Sequence, residues 1–410
     1  MGVFAFTNAG VIDGTGAESI EGATVIVEDQ LIREVSPGRS AIPKGATTLD
    51  LRGRTLMPGL TDAHFHACAV EANVMDQHRL VPPSLAALKA ARRLEAALAR
   101  GYTTLRDAGG ADAGFREAVA QRVVRGPRLL VSDRFISQTG GHGDLRQRPE
   151  TQLHDCCIGM TGVIADGPDE VRKAAREALR RGADQIKVMA SGGAMSPTDE
   201  LESAQFTVEE LRAAVEEAAA AGTYVLAHAY SARAIKQCVA AGVRSIEHGN
   251  LMDEEAAQAI RSAGAFLVPT MVTFEAIARH GKEYGIPESS LRKIEQARER
   301  SVESLALARR LGLRIGSGTD LLGPMESYQS LELELKGQVL SPMEVLVAAT
   351  RTNAELFGWG DRIGTVEPGK LADLLVVEGD PLRDLGLFQR HEETVRFVML
   401  EGEIAVNRLG

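Results

Sequence analysis

Residues 56–66 read LMPGLTDAHFH, an apolar run closed by two histidines at positions i and i+2. Alternate residues of a strand share a face, so His64 and His66 enter the same side of the sheet this run joins. Seven further short β-rich runs follow: YTTLRDAG from 102, PRLLVSDRF from 127, QIKVMAS from 185, YVLAHAY from 224, SIEHGN from 245, AFLVPTM from 265 and RIGSGTD from 314. Amphipathic stretches such as 84–100, 171–181, 208–221, 232–241 and 291–311 separate them. Eight strand–helix units predict an α/β protein built on a closed (β/α)8 TIM barrel. An open doubly wound sheet would not need eight units and usually carries a Gly-rich phosphate turn after its first strand; none is present in the sequence.

The ends read differently. Residues 1–57 and 362–410 alternate apolar and polar positions over short runs, as in ATVIVEDQLIREV and VRFVMLEGEIAVN. Too few strands lie at either end to fold alone, so both termini are expected to pair into one small β-sandwich of antiparallel strands, with the barrel, 58–361, inserted in it. Two connections exceed what a compact barrel needs, 137–166 and 273–290, and the first opens with SQTGGHGD, which presents His142. The charged run KIEQARERSVESLALARR, 293–310, is expected as a solvated helix face.

Composition excludes several classes. Of 410 residues, 46 are Lys or Arg and 56 Asp or Glu, a net charge of −10 without a long basic run, which disfavours a phosphate-backbone partner. No apolar stretch approaches the roughly 20 residues of a membrane span. The opening MGVFAFTNAG carries no basic leader or apolar h-region, and Cys68, Cys156, Cys157 and Cys238 show no Cys-x-x-Cys spacing. A reduced, cytoplasmic protein is the expectation.

Four more strand ends carry residues suited to a metal centre: Lys187, His228, His248 and Asp320. Only nine histidines occur in the chain, and with His64 and His66 four of them sit at strand ends. A lysine inside a barrel loses affinity for its proton, and the free amine can take up carbon dioxide to become an anionic carbamate able to bridge two metals. The remaining histidines, His78, His154, His280 and His391, read as structural or exposed, and neither Cys156 nor Cys157 has an adjacent base to make it a nucleophile.

These residues in this order, with GRTLMPGLTDAHFH at the barrel entry and PGKLADLLVVEGDP at its exit, resemble the metal-dependent amidohydrolase superfamily over nearly the whole chain. HAYS around Tyr230, TGGHGD around His142 and KVMASGG around Lys187 resemble the Xaa-Pro dipeptidase (prolidase)-like branch, related to imidazolonepropionase. The resemblance implies two divalent ions, zinc being suited to nitrogen and oxygen ligands. His64 and His66 would bind the more buried ion and His228 and His248 the more exposed one. Carboxylated Lys187 would bridge both, and Asp320 would contact the buried ion and act as proton shuttle for a metal-bridging hydroxide. Tyr230 and His142 would donate hydrogen bonds to the developing oxyanion.

The implied reaction is hydrolysis of a C–N amide bond in a small molecule, a dipeptide first. N-acyl amino acids of the ochratoxin type, aryl amides or carbamates, and cyclic amides are the alternatives. Arg233, and with it Arg146 and Arg148, are candidates for a substrate carboxylate. AYSARAIKQ, after the fifth strand, lacks the glutamate that a deaminase of the superfamily carries there. A metal-free assembly protein would lack ligands, and none is missing. The resemblance further implies a homo-oligomer.

Overall fold

The computed structural model describes residues 2–152, 158–196 and 198–409. Eight parallel strands form the barrel: β1 (Leu60–Phe65), β2 (Tyr102–Asp107), β3 (Arg128–Leu130), β4 (Ile186–Met189), β5 (Val225–Ser231), β6 (Ser245–Leu251), β7 (Phe266–Val268) and β8 (Arg314–Ile315). Each coincides with one of the eight runs read from the sequence, β5 and β6 running one residue past theirs. Ladders join β1 to β3 and β4 to β8 in order. Backbone bonds close the two seams: Asp184 N–H to the Val131 carbonyl (2.7 Å) on one side, and on the other Ala63 N–H to the Ser317 carbonyl (2.8 Å) with Asp320 N–H to the His64 carbonyl (2.7 Å).

Around the strands lie α1 (Pro83–Ala99), α2 (Ala113–Ala120), α3 (Pro168–Arg180), α4 (Val208–Ala220), α5 (Ala232–Ala241), α6 (Glu254–Ala263), α7 (Met271–His280) and α8 (Glu288–Arg310). Alternation sorts each barrel strand. Val225, Ala227 and Ala229 of β5, with Ile186, Val188 and Ala190 on and just after β4, pack outward against helices in one apolar cluster. Lys187 and Met189, like His228 and Tyr230, point to the interior cavity instead.

The termini build one mixed eight-stranded sheet. Its strands from both ends interleave: Leu374–Val377 pairs with Thr55–Pro58 and with Val395–Leu400. Not all pairs are antiparallel, as the sequence led us to expect. Strand Val3–Val11 takes two parallel partners, Thr47–Asp50 along its first half and Thr55–Pro58 at its end. The reason is topological: after Leu31–Ser36 at the sheet's edge the chain must cross back to the far side of Val3–Val11, which a hairpin cannot do. Its central strands Thr55–Pro58 and Leu374–Val377 are buried on both faces. Leu374 and Val376 join a core within the sheet, while Leu375 and Val377 pack with Leu94, Leu98 and Leu105 of the barrel.

Two segments differ from the sequence reading. The connection expected over 273–290 is largely α7, whose residues Met271 to Phe274, Ala276 and Ile277 are buried, so its apolar side serves as barrel wall. The 293–310 run is not wholly solvated, because Lys293, Ile294, Ala297, Ser301, Ser304, Leu305 and Ala308 recur at helical spacing and are buried. Among the described residues no helix is long and apolar enough to cross a membrane.

Candidate metal centre

His64 and His66 leave β1 into a cavity of about 70 Å³ at the carboxyl ends of the barrel strands. Asp320, five residues past β8, faces them: its Oδ1 lies 3.1 Å from His66 Nε2 and 3.7 Å from His64 Nε2. Ligand atoms of these three residues all lie within 4.8 Å of one another, which makes a metal-binding group of two nitrogens and one oxygen. Buried Asp62 sets this spacing. Its carboxylate accepts the backbone N–H groups of His64 and Thr319 (3.1 Å each), the Thr319 hydroxyl (2.6 Å) and the Gln329 amide (3.0 Å), so the first and last strands are clamped together. Gly318 is required there, since a Cβ at that position would sit 2.5 Å from His64 Cβ.

His228, His248 and Lys187 line the same cavity. His248 has φ 71° and Asp320 φ 54°, both in the left-handed region that side chains rarely adopt. For His248 the consequence is direct. Ser245 and Glu247 point inward on β6 and Ile246 outward, so regular alternation would turn His248 out; the positive φ swings it back into the cavity. Its ring then lies 4.8 Å from that of His64 and 4.6 Å from that of His228.

Every one of the four rings has one nitrogen engaged behind it. His64 Nδ1 meets Glu247 Oε2 (2.7 Å), His66 Nδ1 the Gly109 carbonyl (2.8 Å), His248 Nδ1 the Thr270 hydroxyl (2.7 Å) and His228 Nε2 the Gly192 carbonyl (3.0 Å). A carbonyl or carboxylate can only accept, so these contacts put the proton on the engaged nitrogen of His64 and His228 and leave the other as a lone pair, whereas His66 has an acceptor at both nitrogens, the Gly109 carbonyl at Nδ1 and Asp320 at Nε2. His64 thus offers Nε2 and His228 Nδ1, and His66 turns Nε2 toward Asp320. The donor set fits divalent cations. Burial first, then the positive charge of Lys187, keeps His64 well below the usual imidazole range, and burial holds His248 down at about 3.

Lys187 is 1% exposed and has no carboxylate within ion-pair distance among the described residues. Burial lowers its ammonium to about 8, against the opposing pull of Glu247 and Asp320. A lysine stored in an ion pair, the ordinary explanation for a buried one, is therefore not what this barrel holds.

Above the ligands, the His142 ring stacks on His228 at 4.3 Å between centroids, and Tyr230 stacks on His248 at 4.9 Å. Burial holds His142 down at about 4 and pushes the Tyr230 phenol well up. Apolar walls come from Val74, Met189, Met195, Phe274, Ile294 and Leu322. The arginine candidates sit elsewhere. Arg233 is exposed on the first turn of α5, Arg148 is exposed, and Arg146 is bonded to Asp144 (2.7 Å from Nε); none lines the cavity. His280 bonds the Tyr328 hydroxyl (2.8 Å), and His78 and His391 are half-buried outside the cavity. Cys68 and Cys238 are buried; His154, Cys156 and Cys157 lie outside the described residues.

Sequence reasoning missed the residues behind the ligands. Glu247 is fully buried between His64 and Arg106, whose Nη2 lies 2.8 Å from Glu247 Oε1. Asp62, Thr270 and Lys293 were likewise not singled out. Glu247 adjoins His248, and strict alternation forbids both from facing inward, so no periodic signal pointed to it.

The amidohydrolase family model matches residues 55–405, and the chain belongs to that family. It is accordingly a hydrolase acting on C–N bonds. A prolidase crystallised with N-methylphosphonate-L-proline is 41% identical, with a TM-score of 0.95 over 98% of this chain and 99% of that one. Ochratoxinase of Aspergillus niger is 31% identical over 401 residues, 93% of this chain and 82% of the relative. Imidazolonepropionase of Deinococcus radiodurans is 30% identical over 385 residues, 89% of this chain and 88% of the relative.

Proposed function

We propose that the protein is a binuclear, metal-dependent dipeptidase acting on Xaa-Pro or related dipeptides. The observation that carries this reading is the set of histidines, each fixed from behind by one ring nitrogen, converging with Asp320 around a buried lysine that has no ion-pair partner among the described residues. His64, His66 and Asp320 would hold one ion, His228 and His248 a second, and Lys187, carboxylated by carbon dioxide, would bridge them. Two divalent ions, zinc by ligand type, supply acidification of a water and polarisation of the scissile carbonyl.

The protein's own groups do the rest. Asp320, its side chain 21% exposed and open to the cavity, stays ionised despite burial because His64 and His66 lie beside it. One of its carboxylate oxygens can take a proton from the attacking water and hand it to the departing nitrogen. Tyr230, neutral at any working pH, donates its O–H toward the carbonyl oxygen, and His142 stands beside it at the same end of the cavity. Met189, Met195, Phe274 and Leu322 exclude bulk water and favour an apolar residue next to the scissile bond.

The prolidase likeness supports a dipeptide substrate. A second reading, hydrolysis of an N-acyl amino acid, draws on the apolar walls and the ochratoxinase likeness. Elemental analysis of the purified protein is expected to give two metal ions per chain, falling in Lys187→Ala. The zinc-loaded protein, offered dipeptides, N-acyl amino acids, aryl carbamates and cyclic amides, is expected to turn over dipeptides ending in proline fastest. Turnover of a carbamate or cyclic amide with no dipeptide activity would overturn the assignment. We further propose a cytoplasmic homo-oligomer, with 1–57 and 362–410 as one domain and 58–361 as the other.

A further inference from the structure

The described residues of the segment after β4, 192–196 and 198–199, form the roof of the cavity: Ala194 and Met195 line it, and the Gly192 carbonyl holds His228 Nε2. Among the described residues, one cation anchors it. Lys293, on the second turn of α8 and 2% exposed, donates to the carbonyls of Gly193 (2.7 Å), Ser196 (2.8 Å) and Asp199 (3.0 Å). Three backbone carbonyls gathered on one buried ammonium fix both the height and the tilt of the turn.

What the turn carries is His142. Ser196 Oγ lies 3.0 Å from His142 Nδ1 and also contacts the Gly193 carbonyl and the Asp199 carboxylate. Those last two can only accept, so the single hydroxyl proton goes to one of them and Ser196 must accept from His142. His142 therefore carries its proton on Nδ1. The backbone N–H of His142 is bonded to Gln205 Oε1 (2.9 Å), and Gln205 Nε2 in turn to Asp199 (2.7 Å). Gly193 completes the seat, since a Cβ there would come within 2.5 Å of the His142 ring.

We propose that Lys293 is a positioning residue for this centre, acting through the 192–199 turn and Ser196 to fix the orientation and tautomer of His142 over the ligands. The role rests on the reading of this cavity as the site of amide cleavage. One consequence is chemical: with Nδ1 given to Ser196, the neutral ring turns Nε2, an acceptor, toward the cavity. His142 then receives a substrate N–H, such as a dipeptide's ammonium or the departing amine, rather than donating to the oxyanion.

The test uses the metal-loaded, full-length protein and the best substrate of the library. Lys293→Met is expected to lower kcat about 10- to 100-fold with metal content unchanged. Lys293→Gln, which keeps two donors, should fall between, and decides the matter if the Met variant does not fold. Ser196→Ala should lose a similar factor, and the double variant no more than the worse single one. Independently of any substrate, 15N-histidine labelling should show a slowly exchanging His142 Nδ1–H, assigned by its loss in His142→Asn, that disappears in Lys293→Met and Ser196→Ala. An unchanged resonance, a flat kcat series, losses that multiply in the double variant, or loss of metal in Lys293→Met would each overturn the role. Failure of the library to yield a substrate would defeat the functional reading while leaving the resonance to decide this one.

Discussion

The floor of the cavity and its roof are fastened in different ways. Below, the ligands stand on strands and are held by buried side-chain ions: Asp62 ties β1 to the segment after β8, and Glu247 with Arg106 backs His64. Above, His142 and Met195 ride on loops whose shape depends on backbone carbonyls collected by Lys293, about a hundred residues further along the chain. Charge acts in both places, since Lys293 also lies 3.8 Å from the Asp199 carboxylate and both bear on His142, but only the floor's charged partners touch a ligand and so set its basicity directly. Changes to the floor should therefore appear in metal binding, and changes to the roof in turnover with the metals in place.

The sharpest test of that division is Asp320→Asn, which removes the proton carrier and one ligand together. A fall in kcat of about 10²- to 10⁴-fold is expected, measured by steady-state kinetics on the best amide substrate. Retention of even a tenth of the activity would place proton transfer elsewhere.

Glu247→Gln comes next. It keeps the shape but withdraws the charge behind His64, so metal affinity should drop about 10- to 100-fold in a chelator competition. Arg106 would also be left buried without its counter-charge, and denaturant unfolding should show a loss of about 3–5 kcal/mol. Unchanged affinity would mean that floor and roof do not differ as argued.

Smaller still is Gly318→Ala, whose Cβ meets His64 2.5 Å away. Forcing that contact should cost about 1–3 kcal/mol of stability by denaturant unfolding. Arg233→Ala marks the lower end. Exposed on α5 and away from the cavity, Arg233 should change kcat/KM by less than about twofold, in keeping with surface substitutions generally.

Legibility in the sequence followed the same division. His64 with His66, and His228 with Tyr230, share a face because strand residues two apart must, so these pairs could be read from spacing. Lys187 was legible as an ammonium set in an apolar run. His248 was named at a strand end, but the left-handed φ that turns it inward, and the adjacent Glu247 it leaves pointing inward too, obey no period. Lys293 was absorbed into a charged helical run because its environment is made by a turn a hundred residues away in sequence. The terminal sheet shows the same limit: its strands were visible, but not the parallel pairings of Val3–Val11.

The sequence by itself determined the eight strand–helix units, the terminal strands flanking them and the residue types at the strand ends, because each depends on local periodicity and on side-chain chemistry. Tertiary structure alone decided which ring nitrogen each histidine turns to the cavity, what stands behind it and how the roof is hung. Those depend on hydrogen bonds between segments far apart in the chain, and one residue's partner there is set by where the barrel closes.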